Sequence, residues 1–253
     1  MSRRVLVTGA ASGLGAALTA AFRARGDEVL ATDRVTGDGI DLVLDITSDD
    51  DWAAARTTVE ERWGGLDVLV NNAGVAGGGR IELCSIDDWR WITEINLFGV
   101  VRGVQTFTPM LKAQRSGHIV NVASLAGLVH PGGMGSYNAV KAAVVAFTET
   151  CGHELAGFGV KASAVCPSYF RTNLVDSMQG ADEAVGKVIG NLVATSKVSA
   201  DDIASAVLAG MDAGEDVIVP DEAARQAYFL KWADRPAYDE VMRHQAARLE
   251  ELS

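Results

Sequence analysis

The feature that most restricts the fold of this chain is a rhythm of short apolar runs, each followed by a longer stretch with helical periodicity. "RVLVT" (4–8), "EVLAT" (28–32), "DLVLD" (41–45), "DVLVN" (67–71), "HIVNV" (118–122), "KASAVC" (161–166) and "DVIVP" (216–220) are rich in valine, leucine and isoleucine. Most of them lack strict polar alternation, which suits parallel strands covered by helices on both faces. Helices are predicted between them at about 13–25, 49–62, 86–114, 137–156 and 201–213. Ser85 in "SIDD" reads as an N-cap, Pro109 should bend or break the long segment around it, and the glycines of "AGFGV" (156–160) should stop the helix that begins near Tyr137. Repetition of strand and helix predicts one α/β unit, a doubly wound parallel sheet of about seven strands. No repeat, low-complexity tract or linker divides it, and residues 221–253 read as a helical, amphipathic C-terminal extension.

Composition narrows the partners. The chain has 253 residues, 48% of them hydrophobic and 22% charged, with a net charge of -11. That balance suits a core large enough to bury a sheet on both faces, and it repels phosphate backbones and anionic lipid surfaces. Nucleic acid and membranes are therefore poor partners and a small molecule a better one. No apolar run approaches the roughly 20 residues that span a bilayer, and "MSRRVLVTGAASG" holds no signal-peptide core, so a cytoplasmic location is expected. Cys84, Cys151 and Cys166 are far apart in apolar contexts, as packed thiols are. The four histidines lack zinc-type spacing, and no metal is expected.

The first strand runs directly into "TGAASGLG" (8–15) and a helix. Gly9 permits a tight turn, Gly13 lets the backbone approach a pyrophosphate, Gly15 allows close packing of helix on sheet, and the helix N-terminus offers N–H groups to anionic oxygens. Asp33 ends the second strand, where a carboxylate accepts hydrogen bonds from the adenine ribose hydroxyls. A 2'-phosphate about 4 Å away would be repelled by order 4 kcal/mol at an effective dielectric near 20. NAD is thus favoured over NADP, with Arg34 the one basic group at hand to argue the other way. The strand, turn and acid together predict a Rossmann-type dinucleotide site.

Tyr137 and Lys141 stand four residues apart in "GSYNAVKAAVVAFTE" (135–149), and on a helix they share a face. An alcohol does not release its proton near neutral pH, and a tyrosine acts as its base only if its pKa of about 10 is lowered, which a cation within about 4–6 Å favours. The pair therefore reads as a general acid/base unit, against the bland alternative of two stems laid along a helix with their tips in water. Ser124 follows a strand's carboxyl end, where its hydroxyl can donate to a substrate oxygen as charge develops. Asn96 in "EINLFG" is polar within an apolar helical stretch, and bonding to a kinked backbone is one use open to it.

"TGAASGLG", "NNAG" (71–74) and "SYNAVK", with Ser124 thirteen residues before Tyr137, stand in an order that resembles the classical short-chain dehydrogenase/reductase family from residue 3 to about 220. The resemblance implies hydride transfer between a nicotinamide and a carbonyl or alcohol, with Asn96, Ser124, Tyr137 and Lys141 as the catalytic set, and it offers Asn96 a second use, holding a water that relays protons from Lys141. It implies cofactor contacts at Gly9, Ser12, Gly13, Leu14, Gly15, Asp33 and Arg34, at Asp45 and Ile46 on the adenine, and at Asn72, Ala73 and Gly74. Tyr137, Lys141, Pro167, Phe170 and Thr172 complete the cofactor set, Lys141 on the nicotinamide ribose and Thr172 on the carboxamide. A homo-oligomer, dimer or tetramer, is also implied.

Two departures from the family pattern stand out. Pro167 is followed by Ser168 where glycine is common, and the usual glycine-rich ending is replaced by "PDEAARQAYFLKW". His130, Met134, Tyr169 and Phe170 are candidates to line an apolar substrate space, with Tyr228, Phe229 and Trp232 as a lid over it. A hydrophobic secondary alcohol or ketone fits that space better than a sugar or an anionic acid. The rival readings are an inert NAD sensor, which would have no use for the Ser, Tyr, Lys register, and an NADP-dependent carbonyl or enoyl reductase.

Overall fold

A computed structural model describes residues 2–172, 174, 177–180 and 182–252. Seven parallel strands form one sheet: β1 (Arg4–Thr8), β2 (Glu28–Asp33), β3 (Leu42–Val43), β4 (Val68–Asn71), β5 (Gly117–Val122), β6 (Val160–Val165) and β7 (Val217–Ile218). They lie in the order β3-β2-β1-β4-β5-β6-β7, so the chain reverses its direction of travel across the sheet between β1 and β4. The absence of polar alternation in the strands has a direct cause. Val5 and Val7 of β1 pack on one face with α1 (Gly13–Ala24) and α7 (Ala200–Ala213). Leu6 between them packs on the other face, among residues of α2 (Asp49–Trp63), α4 (Gly99–Gln114) and α5 (Gly135–Leu155). Both faces are apolar because both are covered.

Local signals set several boundaries where the sequence predicts them. Ser85 caps α3 (Ile86–Thr93) in a reciprocal capping box with Asp88, and after α5 and a short 3-10 turn Gly159 takes a left-handed conformation at φ +69°. The predicted break at Pro109 does not occur. Pro109 lies inside α4, and the long segment is interrupted earlier by a π-helical turn, Glu94–Phe98, centred on Asn96. A helix without a sequence prediction, α6 (Glu183–Thr195), contains Gly186 and Gly190. Each lowers intrinsic helicity by about 1 kcal/mol relative to alanine, and tertiary packing of Val185 and Ile189 makes up the difference.

The C-terminal extension forms two helices, α8 (Glu222–Ala233) and α9 (Arg235–Glu251), divided where Asp234 caps α9 ahead of Pro236. Buried Asp221 fastens this hairpin to the loop after β6. Its carboxylate accepts from the Ser168 N–H at 2.9 Å and the Ser168 hydroxyl at 2.6 Å while capping α8 through Ala224 N–H at 2.9 Å. Serine after Pro167 is thus the partner of the replaced ending, and the two departures from the family pattern are one structural feature. No helix among the described residues is long and apolar enough to cross a membrane.

Candidate active site

The reversal between β1 and β4 opens a crevice at the carboxyl ends of the strands, the place where doubly wound sheets receive ligands. Here the crevice is a cleft of about 1100 Å³. Behind its lining lies Thr8, the last residue of β1. The buried Thr8 hydroxyl accepts from the N–H groups of Asn72 and Ala73, both at 3.0 Å, and the Asn72 side chain donates back to the Thr8 carbonyl at 2.9 Å. These bonds hold the glycine turn and the "NNAG" loop against each other across the reversal. The signal for Thr8 was its identity as the last residue of β1, a position that alternation alone cannot distinguish from a core residue.

Gly9 and Gly13 have φ of +67° and +54°, and a Cβ at Gly9 would lie 2.9 Å from Ala73 Cα. A Cβ at Gly15 would collide with the Gly9 carbonyl oxygen. Ser12 is the N-cap of α1 but makes no side-chain capping bond, so the first-turn N–H groups are left for a ligand's oxygens. Asp33 stands at the rim of the cleft, its carboxylate accepting from Ala11 N–H at 3.1 Å and Val35 N–H at 3.3 Å. Asp45 accepts from the N–H and hydroxyl of Thr47, bonds that hold its carboxyl below the usual carboxylate range. Gly9, Ser12, Gly13, Leu14, Asp33, Arg34, Asp45, Ile46, Asn72, Ala73 and Gly74 all line the cleft at this end, as do Pro167, Phe170 and Thr172 further in. Gly15 does not; it lies behind the turn. A glycine cradle, an uncapped helix start and a carboxylate at the end of β2 fit a dinucleotide.

Ser124, Tyr137 and Lys141 converge on the same cleft. Tyr137 and Lys141 are buried in the first turns of α5, with Lys141 Nζ 5.7 Å from the centre of the phenol ring. Lys141 donates to the Val122 carbonyl at 3.0 Å, at the end of β5. Ser124 accepts from Ala126 N–H at 3.1 Å. Burial pushes the Tyr137 phenol up to about 12, opposed by a hydrogen bond with Ser124, and pushes the Lys141 ammonium down to about 8. The expected lowering of the phenol by its amine neighbour is therefore not achieved by the protein's own groups. Desolvation of both side chains outweighs their proximity.

Asn96 is fully buried and outside the cleft lining. Its carbonyl oxygen accepts from Val75 N–H at 2.8 Å and its amide donates to the Val75 carbonyl at 2.9 Å. Of the two uses open to it, the structure displays bonding to backbone, and the backbone is that of the "NNAG" loop as it leaves β4. Asn96→Ala is expected to destabilise the protein by about 1–3 kcal/mol through the Val75 groups left unpaired, measured by urea unfolding. Asn96→Asp, which accepts but cannot donate, should lose a comparable amount.

The substrate end departs from the sequence prediction. Met134, Tyr169 and Phe170 line the cleft, but His130 does not; it lies 3.3 Å from Lys231 Nζ. The proposed lid from α8 is absent from the cleft: Phe229 and Trp232 are 73% and 74% exposed, and Tyr228 packs edge-on against Trp232. The wall comes instead from α6 and from α9, whose Met242, Gln245 and Leu249, with Leu252 just past its end, recur at helical spacing along the cleft. Gly132 and Gly133 let α9 approach, since a Cβ at either would lie under 3 Å from Ala246 or Leu249.

Comparison with known proteins agrees with this geometry. The family model for short chain dehydrogenase matches residues 3–183. The chain is 33% identical to 2-(R)-hydroxypropyl-CoM dehydrogenase of Xanthobacter autotrophicus over 234 residues, 84% of this chain and 93% of that one. A short-chain dehydrogenase/reductase of Burkholderia phymatum, solved in complex with NAD, superposes with a TM-score of 0.86 at 29% identity, covering 92% of this chain and 94% of the other. One from Burkholderia cenocepacia, in complex with NADP, superposes at 0.81 with 28% identity, covering 95% and 97%. With a Rossmann-like sheet, a nucleotide cleft at its reversal and relatives of this kind, the chain belongs to the short-chain dehydrogenase/reductase family of oxidoreductases.

Proposed function

We propose that the protein, acting as one catalytic unit, is an NAD-dependent oxidoreductase that interconverts a hydrophobic secondary alcohol and its ketone. The observation that carries this reading is the meeting of Ser124, Tyr137 and Lys141 in one cleft with the glycine turn and Asp33. When bound, NAD supplies the hydride acceptor and, in its oxidised form, a positive charge that favours the phenolate. Tyr137 takes the proton from the alcohol oxygen as the carbinol hydrogen leaves as hydride, and Ser124 donates to that oxygen. In reduction the same hydroxyls act in reverse. Lys141 holds the nicotinamide ribose and adds its charge behind the phenol. Both ends of the Asn96 amide are committed to Val75, so Asn96 serves as a positioning residue through its side chain. Assembly as a homo-oligomer and a cytoplasmic location belong to the same reading.

The preference for NAD rests on Asp33. One of its oxygens accepts from Ala11 N–H of the glycine turn and the other from Val35 N–H just after β2, a placement at the rim of the cleft that suits ribose hydroxyls and repels a 2'-phosphate. Asp33→Ser is expected to raise the NADP:NAD ratio of kcat/KM by about 10–100-fold, the Coulomb term being reduced by solvent at the rim. An unaltered ratio would assign the choice to Arg34. The reaction itself is tested by a panel of hydrophobic secondary alcohols followed through NADH absorbance, where no turnover of any member with either dinucleotide refutes the reading.

A further inference from the structure

We infer that the substrate carries an anionic group, a carboxylate in the simplest case, and that Arg248 on α9 binds it with Lys187 on α6 in support. This inference rests on the oxidoreductase reading of the same cleft. The charged groups lining the cleft are distributed unevenly. Asp33, Arg34 and Asp45 lie at the dinucleotide end and Lys141 at the centre. In the wall formed by α6 and α9 the charged residues among those described are Lys187 and Arg248, both cations.

The two helices close on each other there. A Cβ on Gly133 would lie 2.7 Å from both Leu249 of α9 and Val185 of α6; Arg248 adjoins the first in sequence and Lys187 is two residues beyond the second. Two of the acids near them in sequence already have partners, and Glu251, three residues after Arg248, makes no ion pair with it. Glu250 pairs with Arg80, which is also tied to buried Asp182, and Glu183 pairs with exposed Lys187 at 3.4 Å. Arg248 enters no ion pair or hydrogen bond among the described residues.

In a chain whose net charge is -11, an unpaired guanidinium at the mouth of an apolar cleft makes a local attraction for anions that the protein's overall field opposes. Gln245, one turn before Leu249, adds a neutral donor to the same stripe. The arrangement suits an amphipathic molecule. Its apolar body lies along Met134, Val185 and Leu249 with the carbinol toward Tyr137, and its acid reaches the planar fork of Arg248. The preference for a neutral substrate over an anionic acid does not hold on this reading, because the cation arrives from the far end of the chain.

The test is calorimetric and needs no turnover. Protein saturated with whichever reduced dinucleotide it binds is titrated with cyclohexylacetate and with its neutral isostere cyclohexylacetamide. The acid is expected to bind at least about 10-fold more tightly, a margin that shrinks as salt rises. Arg248→Ala should abolish the preference while leaving amide binding within about 2-fold, Arg248→Lys should restore part of it, and Lys187→Ala should reduce it less. Equal binding of the two probes, binding of neither, or an equal weakening of both by Arg248→Ala would overturn the inference. Should the preference stand while no secondary alcohol is turned over, the anchor is upheld and the assigned reaction falls.

Discussion

Replacement of Tyr137 by phenylalanine is expected to lower kcat by about 10²–10⁴-fold, the range over which a positioned acid/base group acts, while dinucleotide affinity changes by less than about 3-fold. The substitution keeps the ring and its packing against Ile92, Met134 and Val140, so the fold has little reason to respond. What disappears is the hydroxyl that meets Ser124. The direction of the pKa adds a second expectation. Because burial holds the phenol up near 12 before any cofactor charge acts on it, the protonated form dominates near neutral pH. Ketone reduction, which uses that form, should be flat through neutrality and fall only at high pH. Alcohol oxidation, which needs the phenolate, should rise with pH until the phenol's pKa in the complex with oxidised cofactor is passed. Profiles of kcat/KM in the two directions check the sign. Turnover within a few-fold of wild type in the phenylalanine variant would remove Tyr137 from the proton's path.

How far this site was readable in advance depends on whether each residue's partners are near it in the chain. Gly9, Gly13 and Asp33 follow from local geometry: a turn, a helix start and a strand end each leave a signature within a few positions. The pairing of Tyr137 with Lys141 is equally local, one helical turn. Asn96 was legible only as an anomaly, because its partner Val75 lies 21 residues away and the π-helical turn that presents it has no periodic signature. Pro109 misled for the converse reason: α4 runs through it, and the interruption falls instead at the π-helical turn where Asn96 bonds to Val75.

The substrate wall was the least legible part. The helix α6 carries two glycines that mask it, and α9 reaches the cleft through contacts with Gly132 and Gly133 that span more than a hundred positions. Exposed Phe229 and Trp232 look more like lid residues in sequence than Met242 or Leu249 do. Composition cannot tell which face of an amphipathic hairpin will be held inward, and here the decision is made by Asp221 gripping Ser168. The cation that would define a charged substrate was hidden by the same distance.

Lys141 presents the opposite balance to Tyr137, and Lys141→Met is expected to make the protein both less active and more stable. The ammonium is buried, and desolvation lowers its pKa from 10.5 to about 8. Below pH 8 it is charged in both folded and unfolded chains, and the folded chain carries the cost of that charge, about 3 kcal/mol from the shift at 1.36 kcal/mol per unit. Methionine keeps the length and apolar stem but forfeits the charged bond to the buried Val122 carbonyl, worth about 1.5–3 kcal/mol. A net gain of up to about 2 kcal/mol is therefore expected at pH 7 in urea unfolding without cofactor. Between pH 8 and 10.5 the unfolded chain binds more protons than the folded one, so the wild type gains stability as pH rises through this window. The advantage of methionine should shrink over the same interval and vanish above it. Turnover should fall by about 10²-fold or more, since the phenol loses the cation behind it. A methionine variant less stable than wild type at pH 7 would show that Lys141 is not held against the preference of the fold, and the account of a cation kept buried for the sake of the reaction would have to be abandoned.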